Sequence, residues 1–383
     1  MKCLRVRMRQ RYYPAIFKTL NAAIVSYVCA LAALVPASVV AGGHMGHMPS
    51  HGTTGLPGDL LLFPAVTGIE RFDQEPQKKL STGDVIPEIN VFYTTDYQRF
   101  RFLGEWLVST KTHNLERFQL GMHVGDEATL WLGRFHNPIG YWNMQFHHGA
   151  FLQTTISRPG IMAFETAGGV IPNHLTGFLW EGVHDLGEGG LYYTVGAGAG
   201  PQINKGLEAF NLVEPGGSRR PGVSFRLGYQ PISYGVDEFG ISGAYNQIHS
   251  DELAVKNVNQ FVASAYAAKQ IQSLRLLSEI VYVNNTLESP LGGKTYDDFL
   301  SAYGQVEWDL NPAWTVVGRV EGTFGGRDDP YLAMFPKYVE DRFLGGIRYK
   351  LNHTNALKLE ASRDHLRDDH FGQVMFQWSA VFP

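Results

Sequence analysis

Cysteine is almost absent. The chain of 383 residues has two, Cys3 and Cys29, and both fall in the first 41 positions. A chain processed after residue 41 has no thiol, which excludes disulfide staples and a cysteine nucleophile. Beyond residue 41 no apolar run reaches the ~20 residues that a membrane-spanning helix needs. No basic cluster marks a nucleic-acid surface, and the formal net charge is −4. Catalytic signatures are also missing. There is no Gly-x-Ser-x-Gly elbow, no phosphate-cradling glycine loop and no Cys-x-x-Cys pair. Enzymatic activity is therefore not expected, although a Ser/His pair on neighbouring strands would leave no contiguous motif.

The N-terminal segment has its own composition. Lys2, Arg5, Arg7, Arg9, Arg11 and Lys18 are unopposed by acids. An apolar run from Ala22 to Val40 then ends in small residues, Val39-Val40-Ala41. A basic region, an apolar region and a small-residue end describe a cleaved secretory signal over 1–41. The rival reading is a membrane anchor, disfavoured by Pro36 inside the apolar run.

The body is rich in glycine (43), phenylalanine (23) and tyrosine (18), and its apolar residues recur with period 2. In Gln373–Phe382, the residues Val374, Phe376, Trp378, Ala380 and Phe382 share one face, with Gln373, Met375, Gln377, Ser379 and Val381 on the other, mostly polar one. Side chains alternate across a strand, so this is one apolar and one polar face. Leu357–Ser362, Arg342–Tyr349, Trp314–Glu321, Ala302–Asp309 and Arg99–Trp106 repeat the pattern. Further strands are read at 88–94, 115–123, 127–135, 174–183, 190–199, 222–230, 238–247, 257–268 and 272–283.

Alternation fits a soluble sandwich, with the apolar face in a core, or a membrane barrel, with the apolar face in lipid. Three features select the barrel. The strands approach the length a tilted membrane strand needs. Trp308, Trp314, Tyr349 and Trp378 stand at strand ends, as an interfacial girdle requires. Short connections (125–126, 185–190, 269–272, 311–312, 352–355) alternate with long ones (136–173, 200–221, 284–297, 324–340). The final aromatic strand resembles the C-terminal signature of bacterial outer-membrane barrels, with Pro383 as a departure after Phe382. The count is about fifteen strands, and single-chain bacterial barrels have even numbers. Leu60–Ile69 supplies the missing first strand. The expected fold is an all-β transmembrane antiparallel barrel of ~16 strands, the porin size class, spanning 60–383.

Residues 131–160, WLGRFHNPIGYWNMQFHHGAFLQTTISRPG, lose both periods after Pro138. A long aromatic-rich connection is expected to be functional rather than disordered. Leu132, Gly133, Arg134, Phe135, Pro138 and Gly140 resemble a stretch of porin-like barrels related to phosphate-selective porins. The run Tyr141-Trp142-Asn143…His147-His148-Gly149 is similar to one in a further set of exported barrel proteins. That resemblance implies a loop over 136–173 that folds inward and narrows the bore. The expected constriction and lumen residues are Arg134, His136, His147, His148, Arg158, Arg99, Arg101, Arg319, Glu321 and Arg348. Arg275, Arg342, Lys358, Glu105, Glu279, Glu307, Asp309 and Glu360 are also expected to face inward. His136, His147 and His148 are read as metal ligands, as a pH-sensitive constriction, or as packing residues; two adjacent histidines without further spaced ligands favour packing. For Arg134 and Arg158, ion pairs with Glu165 or Glu181 are the alternative to anion attraction. Both charge signs face inward, so selectivity is not fixed by the sequence.

The stretch 42–59 is a His/Met/Gly-rich tail carrying His44, Met45, His47, Met48 and His51. Cleavage after Ala41 would leave Gly42-Gly43-His44, an amine, two amides and an imidazole in a square-planar set suited to Cu(II) or Ni(II). The methionines suit Cu(I), and the stretch resembles the tails of copper-handling exported proteins. The alternative is a plain flexible spacer. Calorimetric titration of a peptide beginning at Gly42 is expected to show copper binding that His44→Ala abolishes; equal affinity in both peptides would eliminate the site.

The functional expectation is an outer-membrane porin-like channel for passive diffusion of small solutes or ions, with no required cofactor and no nucleic-acid partner. The alternatives are a copper or nickel homeostasis barrel and a non-conducting scaffold. Porin resemblance implies a homotrimer, for which Ala263, Ala265 and Ala267 offer a small-residue outer contact.

Overall fold

The computed structural model describes residues 58–383 except 75–81, 126, 147–148, 211–219, 234 and 253. The signal segment, the tail histidines and methionines, His147 and His148 lie outside the described residues. Sixteen strands form the wall: β1 (Asp59–Phe72), β2 (Gly83–Tyr97), β3 (Phe100–Ser109), β4 (His113–Val124), β5 (Ala128–His136), β6 (His174–Asp185), β7 (Gly190–Ala199) and β8 (Pro221–Gln230), then β9 (Glu238–Ser250), β10 (Asn257–Ile271), β11 (Leu274–Glu288), β12 (Lys294–Asp309), β13 (Trp314–Phe324), β14 (Val339–Lys350), β15 (Asn355–Leu366) and β16 (His370–Ala380). Each pairs antiparallel with its chain neighbours, and β1 pairs with β16 from Ala65↔Ser379 to Phe72↔Gly372, which closes the barrel. Phe382 extends the seam by exchanging backbone hydrogen bonds with Leu62 (2.8 and 2.9 Å). Closure leaves no unpaired edge, the condition for backbone in hydrocarbon.

The faces show why this is a membrane barrel and not a sandwich. Along β8, Val223, Phe225, Leu227 and Tyr229 are exposed, while Gly222, Ser224, Arg226 and Gly228 are buried. Apolar residues outside and polar ones inside invert a soluble core and match a lipid-facing wall. Trp314 and Tyr349, opposite each other in register, stack at 4.4 Å as part of the aromatic rim. Ala265 is exposed on β10, with Ala263 and Ala267 half-buried.

Connections differ between the two ends. One end carries 73–82, 110–112, 137–173, 200–220, 251–256, 289–293, 325–338 and 367–369; the other carries 98–99, 125–127, 186–189, 231–237, 272–273, 310–313 and 351–354. Two sequence expectations shift. The connection expected over 284–297 shrinks to 289–293, because the register of β11 with β12 runs on to Glu288↔Lys294. The strand expected to start at 272 starts at Leu274, since Gln272 takes a positive φ of 53° in a tight turn.

Candidate functional site

The 137–173 loop does not cover the barrel mouth; it enters the lumen. It holds a five-residue helix, α1 (Tyr141–Gln145), and three single 3-10 turns, Ala150–Leu152, Gly160–Met162 and Glu165–Ala167. The first and last limbs pack on the β9–β12 wall in one apolar cluster. Ile139, Tyr141, Trp142, Phe146, Ile161, Met162, Val170 and Ile171 meet Val258, Val262, Tyr266, Val281, Val283, Phe299 and Tyr303. The lumen on this side is therefore dry. That departs from the expectation of a wet inner face: the charged side chains expected there, Glu279 and Arg275, remain inward, but the loop's own aromatics cover the wall around them.

The middle limb lies on β12–β15 and is held by polar contacts. Thr154 Oγ1 donates to Glu307 (2.9 Å). Glu360 accepts the backbone N–H of Ile156 (2.7 Å) and the Ser157 hydroxyl (2.5 Å). The N–H of Gly160 donates to Glu321 (2.5 Å). Arg342 Nη1 donates to the Arg158 carbonyl (2.7 Å), Arg348 Nη2 to that of Phe151 (2.8 Å), and Lys358 Nζ to that of Ala150 (2.5 Å). Arg319 makes the densest set. Its Nε donates to Glu321 (2.8 Å), its Nη1 to Thr155 Oγ1 (3.2 Å) and Gln305 (3.1 Å), and its Nη2 to the Ser157 carbonyl (3.0 Å); its guanidinium lies 5.2 Å over the Trp142 ring.

Most of the charges that the sequence analysis placed inside on β11–β15 are thus inside, but they bind the loop. Asp309, also expected inward, is exposed at the end of β12, and Glu105 is inside but binds Asn90 and Arg117 instead. Arg319 and Glu321 face inward as expected and are spent on the strap. Arg348 stacks 5.1 Å over Phe151. Arg275 donates to Tyr141 Oη (3.0 Å), and Glu279 accepts the N–H of Tyr141 (3.3 Å). Arg158 points back into the loop, its Nε on the Met162 carbonyl (2.9 Å) and its guanidinium 4.0 Å over Phe164. Burial pulls its pKa down to about 10 against the raising pull of Glu116 and Glu165. Arg134 is buried, with Nη1 on the Phe210 carbonyl (2.6 Å). Of the expected partners of Arg134 and Arg158, Glu165 does act on both through its charge, but its direct contact is His174, and Glu181 instead accepts Trp131 Nε1 (2.8 Å). Two expected constriction residues lie elsewhere. Arg99 is exposed in the 98–99 turn, and Arg101 pairs with Asp96 (2.6 Å) next to that turn. A turn end is far in sequence register from the loop's contacts, so neither belongs to the constriction.

At the neck of the loop, His136 ends β5 opposite His174, which begins β6. Their rings meet edge to face at 5.3 Å. His174 Nε2 lies 2.8 Å from Glu116 Oε2, and its Nδ1 lies 3.2 Å from Glu165. Burial alone would raise the Glu165 carboxyl, but His174, backbone donors and Arg134 hold it down at about 2. Glu116 and His174 were absent from the sequence candidates. A second contributor also went unread: Tyr331, Leu332, Phe335 and Tyr338 of 325–338 are all buried, and Tyr331 Oη donates to the Val170 carbonyl (2.6 Å).

Gly140 and Gly149 permit this seating, with φ of 74° and 59°. A Cβ at Gly140 would overlap Glu279 Oε1 and stand 2.6 Å from Met162 Cε; one at Gly149 would stand 2.5 Å from Phe63 Cδ1. Gly140→Val is expected to unseat the loop. The left-handed backbone alone costs about 1–2 kcal/mol, and the overlap adds to it. Protease cleavage within 137–173 should then rise roughly tenfold or more, with the strand circular dichroism signal unchanged. Cleavage at the wild-type rate would contradict the seating described here.

No family model matches the chain, and no curated protein matches it. Solved structures do. The outer membrane channel DcaP of Acinetobacter baumannii aligns over 85% of this chain and 97% of its own, at 12% identity and a TM-score of 0.55. An anion-selective porin from Comamonas acidovorans aligns over 85% and 100%, at 10% identity and 0.56. The in-vitro folded outer membrane protein OmpT of Vibrio cholerae, in its trimer form, aligns over 84% and 99%, at 8% identity and 0.51. The closed sixteen-strand antiparallel barrel of this chain is the fold of the outer-membrane porins.

Proposed function

We propose that the chain is an outer-membrane, porin-like channel for passive diffusion of small solutes or ions, exported through a cleaved signal over 1–41. The observation that carries this reading is the 137–173 loop strapped across the inner wall from β9 to β15. A lipid-facing apolar belt and the shared fold of the DcaP channel and the Comamonas porin support it. Inward charges of both signs are paired with each other or with loop backbone, so no ring of like charge remains on the strapped wall to select ions. Single-channel recording in a planar bilayer under a salt gradient tests the reading. The expected result is discrete steps of low conductance with a reversal potential near zero. A folded barrel without steps would overturn it and favour the non-conducting scaffold reading. The depth of the occlusion gives that second reading its specific support: Glu279, Gln305, Arg319 and Glu360, mid-wall side chains, are each no more than 2% exposed. A homotrimer fits the same proposal, with the Ala263–Ala265–Ala267 face as one contact. Crosslinking in outer-membrane-like detergent should give a three-subunit species that Ala265→Lys weakens.

A further inference from the structure

We infer that the neck of the 137–173 loop is a binding site for a divalent transition-metal ion of the zinc class, with Glu116, His136 and His174 as ligands. Ligating atoms of these three residues lie within 4.8 Å of one another, and all three side chains are buried. Imidazole and carboxylate together suit zinc, cobalt or nickel. A tetrahedral ion with bonds of about 2.0–2.2 Å needs ligand atoms about 3.4 Å apart. The 2.8 Å from Glu116 Oε2 to His174 Nε2 and the 4.8 Å outer limit bracket that spacing.

Three further features point the same way. The Nδ1 of His174 meets the Glu165 carboxylate (3.2 Å), the carboxylate–histidine arrangement that fixes ring orientation and turns Nε2 toward a metal. Glu165 is itself oriented by the backbone N–H groups of Asn173 (2.7 Å) and His174 (2.9 Å). Glu116 is oriented too: Asn114 donates to its Oε1 (2.9 Å), leaving Oε2 toward His174. Finally, Glu116 is a bulge residue. The register jumps from Glu105↔Arg117 to Trp106↔Leu115, so Glu116 has no partner position and escapes the alternation of β4. Bulges of this kind re-aim a side chain next to a site. The three ligands leave one coordination position for water.

His136 and His174 bound the loop on its two sides, so the ion would clip the neck shut beneath the strap. An ion at 100 times its Kd favours the clipped state by a factor of about 100. The test uses the full mature chain refolded in detergent with Co²⁺ or Zn²⁺ present, then dialysed, with His44→Ala, His47→Ala and His51→Ala removing the tail's ligands. One retained equivalent and cobalt absorption bands in the visible are expected. His136→Ala should lose both while keeping the strand circular dichroism signal. Glu116→Gln, which preserves the hydrogen-bonding shape, should lose them as well. No retained equivalent in the tail variant, or an equivalent that survives both substitutions, would overturn the site. Conductance does not enter this test, so its outcome is independent of the channel reading.

Discussion

Replacing residues 138–172 with a two-residue turn is expected to raise single-channel conductance on the order of tenfold, the difference between a filled bore and a sixteen-strand barrel with an aqueous channel. The ends of the loop already meet. The N–H of Asn137 donates to the Asn173 carbonyl (2.8 Å), and His136 faces His174 in register. An antiparallel pair held this way needs only a tight turn to close it. The deletion has a cost that the geometry locates. Val258, Val262, Val281, Val283 and Phe299 lose their cover, and each such side chain contributes about 1.5–3 kcal/mol when fully buried. Folding yield should therefore fall, although the closed ladder and the lipid belt are untouched. Val262→Thr with Val281→Thr, added to the deletion, gives the bared wall hydroxyls and should recover yield without closing the bore. An intact, heat-modifiable barrel whose conductance matches the full chain would show that the loop does not limit permeation.

That dry wall was the part of the fold least legible in the sequence. Alternation reads cleanly where one face meets lipid and the other carries polar groups, as on β8 and β13–β16. On β10 and β11 both faces carry apolar residues: Phe261 is exposed outside while Val262 is buried inside. Period 2 then has no sign, and the pattern cannot report that an inner face is covered by another segment. The inward positions of Arg319, Glu321, Arg342 and Glu360 were legible from parity alone. Their partners were not, because the loop atoms they bind lie some 160 to 200 positions away (Gly160 to Glu321, Ser157 to Glu360). No local pattern encodes such a contact. Glu116 was hidden for a different reason: the bulge breaks the parity by which inward residues are found. His136 was legible as a candidate because it sits at the loop's edge, but its partner His174 starts the next strand, where polar residues are common and carry no signal.

Arg319→Met is expected to convert a steadily narrowed channel into one that flickers open. Methionine roughly keeps the side chain's length, and so its cover over Trp142, but has no N–H to donate. The substitution removes four donated hydrogen bonds: one to Glu321, one to Gln305, and two to the strap at Thr155 and Ser157. Breaking a buried charge pair from one side costs about 3–5 kcal/mol, mostly because the partner charge stays behind. If that cost falls on the seated state, the ratio of unseated to seated loop rises roughly a hundred- to several-thousand-fold. The balance between strap and wall decides how much is seen. Glu321 keeps Arg342 (3.2 Å) and the Gly160 N–H (2.5 Å), so its charge is not fully abandoned and the lower figure is the better expectation. A double variant separates the two causes. Adding Glu321→Gln removes the stranded charge but leaves an acceptor for Gly160. If the stranded charge drives opening, the double variant flickers less than Arg319→Met alone, a coupling that a double-mutant cycle on open probability measures directly. If the lost bonds to Thr155 and Ser157 drive it, the second substitution adds to the first. Flicker-free traces from a folded Arg319→Met barrel would mean that the apolar limbs on β9–β12 hold the loop by themselves, and the polar strap would then only set its register.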